Sequence, residues 1–249
     1  MKLFYKDFEN PSYQIDDHGY LIAWKDFFPE IFNGHKNEFS EFFVDTEDND
    51  YYCGEANIII RINKNEDGYF DFSKNIIDIG AEHGTYSFKT QFNKIYSFEP
   101  NVVSWHLLNV NLMMHDVYDK AKTYNVMLSD KVEEVKYDGF TGKQDDLEAF
   151  SYFEENEIIV KTHTLDEYNI NNVGLIKVDV EGMEEKVLRG GLGTIIRNNY
   201  PPILFELWDV GYYNMTQEKY DSLQKFLEDL GYEILWYWGD METHLAIKH

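Results

Sequence analysis

From Asn75 to the end of the sequence, short apolar runs rich in β-branched residues alternate with longer stretches of helical spacing. The runs at 76–80, 94–99, 122–128, 174–180 and 202–207 are bounded by Gly, Pro, Asn or Asp, which marks them as buried strands. Between them the spacing predicts helices near 84–92, 102–115, 183–198 and 216–230. The chain then closes with a strand pair, 232–238 against 244–248, and Gly231 stops the helix before it. Such alternation implies parallel strands joined by right-handed crossovers. The expected fold is α/β: a doubly wound, mostly parallel sheet with an antiparallel last strand.

Upstream of Asn75 the pattern changes. Tyr20 to Phe32 carries Leu21, Trp24, Phe27, Phe28 and Ile31 at helical spacing, broken by Pro29. Asn57 to Ile62 and Gly68 to Phe72 read as two strands of a hairpin. Residues 1–70 are therefore expected to form an N-terminal helical and hairpin cap, and residues 71–249 the main domain. Within that domain, Lys131 to Thr162 interrupts the alternation with a polar, acidic stretch that includes Gly139, Gly142, Asp145 and Asp146. Loops of that length in compact domains are usually functional or disordered.

The strongest local signal is Asn75 to Tyr86, where a β-branched run ends in Gly80-Ala81-Glu82-His83-Gly84. Two glycines let the chain turn sharply and approach a ligand closely, and the following helix start would point N–H groups at it. A dinucleotide pyrophosphate needs Gly-x-Gly-x-x-Gly, and Glu82 stands where the second glycine belongs. Nineteen residues past Gly80, the next strand ends in Glu99, placed to accept hydrogen bonds from both hydroxyls of a ribose. The pair of strands suits an adenosine without a pyrophosphate, as in S-adenosylmethionine.

Further motifs follow in order: Phe98-Glu99-Pro100, Asn109-Val110-Asn111, Thr164 to Tyr168, Leu175 to Glu184, Val187 to Gly190 and Pro202 to Glu206. With Asp78 to Ser87 they make the chain similar to the FkbM family of S-adenosylmethionine-dependent methyltransferases, from about residue 75 to about 209. The resemblance implies the seven-stranded sheet of a class I methyltransferase. It also implies methyl transfer to an oxygen, on a sugar of a glycan or glycosylated metabolite.

Composition narrows the partners. With 22 basic and 46 acidic residues the formal charge is −24, so a nucleic-acid backbone would be repelled. Cys53 is the only cysteine, so no internal disulfide can form. No apolar run is long enough to span a membrane, and the expectation is a soluble, cytoplasmic protein acting on a small-molecule or glycan acceptor. The 19 Tyr, 18 Phe and 5 Trp mostly fill core, although Trp208, Tyr212 and Tyr213 would follow the fifth strand and could line an acceptor pocket.

Methyl transfer to a hydroxyl needs positioning and a base within reach of the hydroxyl proton. Three carboxylates fall at the carboxyl ends of predicted strands: Asp179, Glu181 and Glu206. Asp179 and Glu181 share a face if their strand continues that far. Capping or pairing with Lys177 is the plainer reading of both. The trio's oxygen-only chemistry would also suit Mg or Mn, an option these residues leave open. For the cofactor, Asp78, Gly80, Gly84 and Glu99 each match a position with a physical job. Ala81, His83, Thr85, Tyr86 and Pro100 adjoin them, and Ser129 and Asp130, past the third strand, would meet the adenine edge. The rival readings are an NAD-dependent oxidoreductase, which would need a three-glycine turn that Gly80 to Gly84 does not supply, a non-catalytic module that only binds the cofactor, and a methyltransferase acting on protein or another small molecule.

Overall fold

The computed structural model describes residues 53–138, 157–207, 210, 215–236 and 243–249. The expected helix at 20–32, residues 139–156, Trp208, Tyr212 and Tyr213 lie outside the described residues. In chain order the elements are α1 (Cys53–Lys64), β1 (Asn75–Ile79), α2 (Thr85–Lys89), β2 (Ile95–Phe98), α3 (Val102–Met114), β3 (Ala121–Tyr124), β4 (Met127–Leu128), β5 (Glu134–Asp138) and β6 (Glu157–His163). They continue with β7 (Val173–Val178), α4 (Glu184–Gly190), α5 (Leu192–Arg197), β8 (Ile203–Glu206), α6 (Gln217–Asp229), β9 (Glu233–Trp236) and β10 (Thr243–Ile247).

Seven strands form one sheet in the order β3-β2-β1-β7-β8-β10-β9. The first five are parallel, and β10 runs antiparallel to both of its neighbours. Strand alternation sorts the buried residues onto two faces. Ile77, Ile79, Phe98, Ile176, Val178 and Phe205 pack under α4, α5 and α6 through Val187, Leu188, Ile195, Leu223 and Phe226. Ile76, Ile95, Leu175, Leu204 and Leu245 pack on the other face against Ile58 and Ile62 of α1, Tyr86 of α2 and Leu108 and Leu112 of α3. Helices cover both faces, so the sheet is doubly wound as expected.

Four expectations are corrected. Residues 57–62 are not a strand of a hairpin; they lie in α1, and 68–72 form no strand. The β-branched run misleads, but Ile58, Ile59 and Ile62 are buried while Ile60 is half exposed, which is the spacing of a helix face. That face lies in the same core as β1 and β7. The third strand ends at Tyr124 rather than near 128, because Met127 and Leu128 leave the sheet to pair with β6. The polar stretch after it is not all loop: β5 pairs antiparallel with β6, and with β4 they make a second, three-stranded sheet. The predicted helix at 183–198 is two helices that meet at Gly191, where a Cβ would lie 2.8 Å from the Leu165 side chain.

On the α1–α3 face a polar row crosses the apolar sheet. Strand register places Thr123, Ser97, Asp78 and Lys177 side by side, followed by Leu204, Leu245 and Leu235. Ser97, Asp78 and Lys177 are buried. Buried polar groups at this level require partners, and those partners build the site.

Candidate functional site

The turn after β1 is held by its own backbone. Gly80, Glu82 and Gly84 have φ of 68°, 48° and 92°. The N–H groups of Gly80 and Ala81 both donate to the Phe98 carbonyl, that of Glu82 donates to Glu99 Oε2 at 2.8 Å, and that of Gly84 to the Ala81 carbonyl. These four donors therefore serve the protein itself and form no cradle for a pyrophosphate. The Gly80 requirement is also internal, since a Cβ there would lie 1.7 Å from the Asp179 carbonyl oxygen. At Gly84 a Cβ would meet the Leu108 side chain at 2.5 Å. The helix α2 that follows has only five residues, so its dipole contributes little.

Glu99 is buried at the end of β2. Oε1 accepts from the Asn101 N–H at 2.7 Å and Oε2 from Glu82, so each oxygen keeps one lone-pair direction for another donor. Burial outweighs these bonds and pushes its carboxyl up to about 7. Asn125, directly past β3, donates to the carbonyls of Glu99 and Pro100 at 2.9 Å and fixes this segment from the far side. Sequence spacing puts Ser129 and Asp130 in that place, and the structure does not. With β3 ending early, Ser129 lies beside β6 and under Gly190, its N–H donating to His163, and Asp130 is exposed.

Asp78 is turned into the sheet and fully buried. Its Oδ2 accepts from Ser87 at 2.5 Å, Ser87 contacts Ser97 at 2.8 Å, and Oδ1 lies 3.6 Å from Lys177 Nζ. Its carboxylate serves this network rather than an open surface. Lys177 donates to the Gly80 carbonyl at 2.8 Å and pairs with Asp179 at 3.2 Å. The Tyr86 ring covers the ammonium, 5.1 Å from its centroid.

Tyr86, Lys177, Asp179, Glu206 and Thr243 line a cleft at the carboxyl edge between β7, β8 and β10. Two of the three expected catalytic carboxylates meet there. Burial and the neighbouring charge of Asp179 push the Glu206 carboxyl far above the usual carboxylate range, and its protonated form is hydrogen-bonded to Asp179. Lys177 opposes the shift and Glu181 adds to it. Glu181 itself is exposed: β7 stops at Val178, and φ of 54° at Glu181 turns it off the strand line, so it stands at the rim.

Glu184 is buried and accepts from the N–H groups of Val180 and Gly182, which folds the segment that carries Asp179 back onto α4. His83 is buried with Nδ1 3.3 Å from Glu82, and its carbonyl accepts from Asn111. The Thr85 and Ser87 hydroxyls do not cap α2, whose N-cap is Gly84.

Residues 78–234 match the methyltransferase FkbM domain. The chain belongs to the FkbM methyltransferase family. The match reaches past residue 209 into α6 and β9. A methyltransferase FkbM from Methylobacillus flagellatus superposes with a TM-score of 0.52 at 17% identity, covering 71% of this chain and 44% of that one. This chain thus spans under half the length of that structure. A precorrin-6y C5,15-methyltransferase from Geobacter metallireducens (TM-score 0.45, 12% identity, 78% of this chain and 87% of that one) also resembles it. So does a putative rRNA methylase from Clostridium thermocellum (TM-score 0.49, 8% identity, 78% and 93%). No curated protein matches the sequence.

The residues present fit the cofactor implied by the FkbM family. The buried Glu99 acceptor beside a glycine turn whose donors are already engaged suits an adenosine that carries no phosphate. Among the described residues no three His, Cys, Asp or Glu side chains converge as a metal-binding group. The positive charge beside Asp78 and Asp179 comes from Lys177. No helix among the described residues is long and apolar enough to cross a membrane.

Proposed function

We propose that this chain moves a methyl group from S-adenosylmethionine to a hydroxyl oxygen on a sugar of a glycan or glycosylated metabolite. The observation that carries the reading is the adjacency of two differently built half-sites. Glu99 and the glycine turn make one, the Asp179–Glu206 cleft makes the other, and Lys177 touches both. The choice of oxygen and of sugar comes from the family resemblance. A net charge of −24 favours an uncharged acceptor over a polyanion.

When bound, the cofactor supplies an electrophilic methyl on sulfonium sulfur. Glu99 would hold the ribose hydroxyls, and Asp179 would take the acceptor's hydroxyl proton. Burial and the charge of Asp179 favour the protonated form of Glu206, so its role in this reading is to orient Asp179 and the acceptor rather than to act as the base. Sequence alone leaves that role open to any of the three carboxylates; the shared cleft of Asp179 and Glu206, with Glu181 exposed, supports Asp179 for it.

The test is calorimetric titration with S-adenosylhomocysteine beside NAD, followed by transfer of labelled methyl to a panel of sugars. Micromolar binding of the first and none of NAD is expected, and Glu99→Ala should weaken it by roughly 1.5–3 kcal/mol for each charged hydrogen bond lost. Binding of NAD instead would sink the methyltransferase reading. Cofactor binding with no turnover on any sugar would leave a non-catalytic module or a different acceptor class.

A further inference from the structure

Lys177 touches parts of the site that come from different strands and loops. Its ammonium donates to the Gly80 carbonyl at 2.8 Å, lies 3.2 Å from Asp179 Oδ2 and 3.6 Å from Asp78 Oδ1, and sits beneath Tyr86. Three N–H donors on one nitrogen allow a single buried charge to hold the turn and the cleft together. Packing alone does not call for it. Leu204, its register partner on β8, shows that an apolar side chain fits this level of the sheet. Buried ion pairs can often be exchanged for apolar residues without loss of stability.

We propose that Lys177 is a positioning residue that couples the two half-sites, with its Gly80 bond following the cofactor turn and its Asp179 contact setting the charge of the acceptor-side carboxyl pair. The proposal rests on the reading that the turn holds the cofactor and the cleft the acceptor. The groups facing the ammonium are Asp78 from β1, Tyr86 from α2, Asp179 past β7 and, through the cleft, Glu206 of β8, with Glu181 at the rim and Glu99 at the end of β2. Lys177 is the cation among them that opposes retention of the Glu206 proton. The ammonium that holds the Gly80 carbonyl also faces Asp179, so the turn and the carboxyl pair share one charge, and through it the pair senses a cofactor seated on the turn.

The experiment uses the full chain with Lys177→Met, which removes the charge, and Lys177→Arg, which keeps it. The first readout is carbon-13 NMR of side-chain carboxyls, with the Glu206 signal assigned by Glu206→Gln. The second is calorimetric titration with S-adenosylhomocysteine. In Lys177→Met the Glu206 titration should move up by about one pH unit or more, and the affinity should fall about tenfold with the Gly80 bond lost. Lys177→Arg should restore the titration. A folded Lys177→Met in which Glu206 titrates as before, or which binds S-adenosylhomocysteine at full strength, overturns the proposal. Should Lys177→Met fail to fold, the wild-type chain decides: S-adenosylhomocysteine must shift the Glu206 carboxyl signal, and an unmoved signal overturns the coupling. A wild-type chain that binds no S-adenosylhomocysteine would defeat the functional reading instead, and the Glu206 titration in Lys177→Met would still decide whether the lysine governs the carboxyl pair.

Discussion

Gly80 and Asp179 are packed backbone against backbone, with the Asp179 carbonyl oxygen occupying the place a Cβ on Gly80 would take. The Asp179 N–H in turn donates to the Ile79 carbonyl at 3.0 Å. The glycine of the turn after β1 is thus also what lets the Asp179 carboxylate sit at the cleft.

Gly80→Ala is expected to cost about 3 kcal/mol or more, because the clash is with backbone and adds to the strain of a positive φ. Gly68→Ala supplies the control. Gly68 has φ of 73°, and a Cβ there would meet nothing within 4 Å. Left-handed strain alone should cost about 1–2 kcal/mol at that position. Denaturant unfolding of the two variants should show the gap, and equal losses would mean that the Asp179 contact is soft.

Glu99 gives a pH dependence with a definite sign. Its carboxyl is raised from 4.5 to about 7 in the folded chain, so the folded state binds the proton more tightly. The associated stability is fully present below about 4.5 and is lost as pH rises through about 7, up to about 3 kcal/mol. Glu99→Gln does not ionise, so its stability relative to wild type should rise between pH 5 and pH 8. A difference that stays flat across that window would show that Glu99 is not held protonated. Affinity for S-adenosylhomocysteine should run the other way, rising with pH through about 7 as the carboxylate becomes able to accept both ribose hydroxyls.

The two cleft carboxyls should respond unequally to amide substitution. Asp179→Asn removes the group placed to take the proton and should slow methyl transfer by about 10²–10⁴-fold. Glu206→Gln preserves an uncharged donor toward Asp179, as the protonated acid is, and should slow it far less. Single-turnover rates with labelled S-adenosylmethionine would compare them, and the reverse order would exchange their roles.

Asp166 belongs to a motif of the family resemblance, yet its work is structural. It follows Thr164, which forms a reciprocal capping pair with Glu167, and it accepts from the Gly193 and Thr194 N–H groups and the Thr194 hydroxyl. Asp166→Ala should lower stability by about 2 kcal/mol while leaving cofactor affinity unchanged. Thermal unfolding beside calorimetry separates the two.

Much of this architecture is legible in the sequence because the strands of the main sheet are apolar and their carboxyl ends carry acids. Glu99, Asp179 and Glu206 follow from that rule. Lys177 and Ser97 do not, because an isolated polar residue inside a strand has no meaning until register sets it beside another, and Ser87 on α2 and Asn125 past β3 gain theirs only through tertiary packing. A signal is present all the same: Asp78, Ser97 and Lys177 each interrupt an apolar strand on the same face. The α1 segment reads as strand because three consecutive isoleucines have strong strand preference, and only the packing of Ile58 and Ile62 reveals the helical period. The three-stranded sheet escapes notice because β5 alternates charged residues with Val135 and Tyr137 and looks like a loop when read alone. Spacing groups Glu181 with Asp179, and one positive φ is enough to part them.

The placement of β10 between β8 and β9 has a consequence for biosynthesis. Thr243 is the register partner of Glu206 and forms one wall of the cleft, although 36 residues lie between them in the chain. On the ribosome the glycine turn and Glu99 emerge long before this strand. A nascent chain can therefore assemble the β1–β2 edge early, while the Glu206 side stays an unpaired sheet edge until Thr243–Ile247 has left the exit tunnel and slotted in. The turn after β1 and the cleft can then form at different times during synthesis, with Thr243–Ile247 acting as the keystone that closes the cleft.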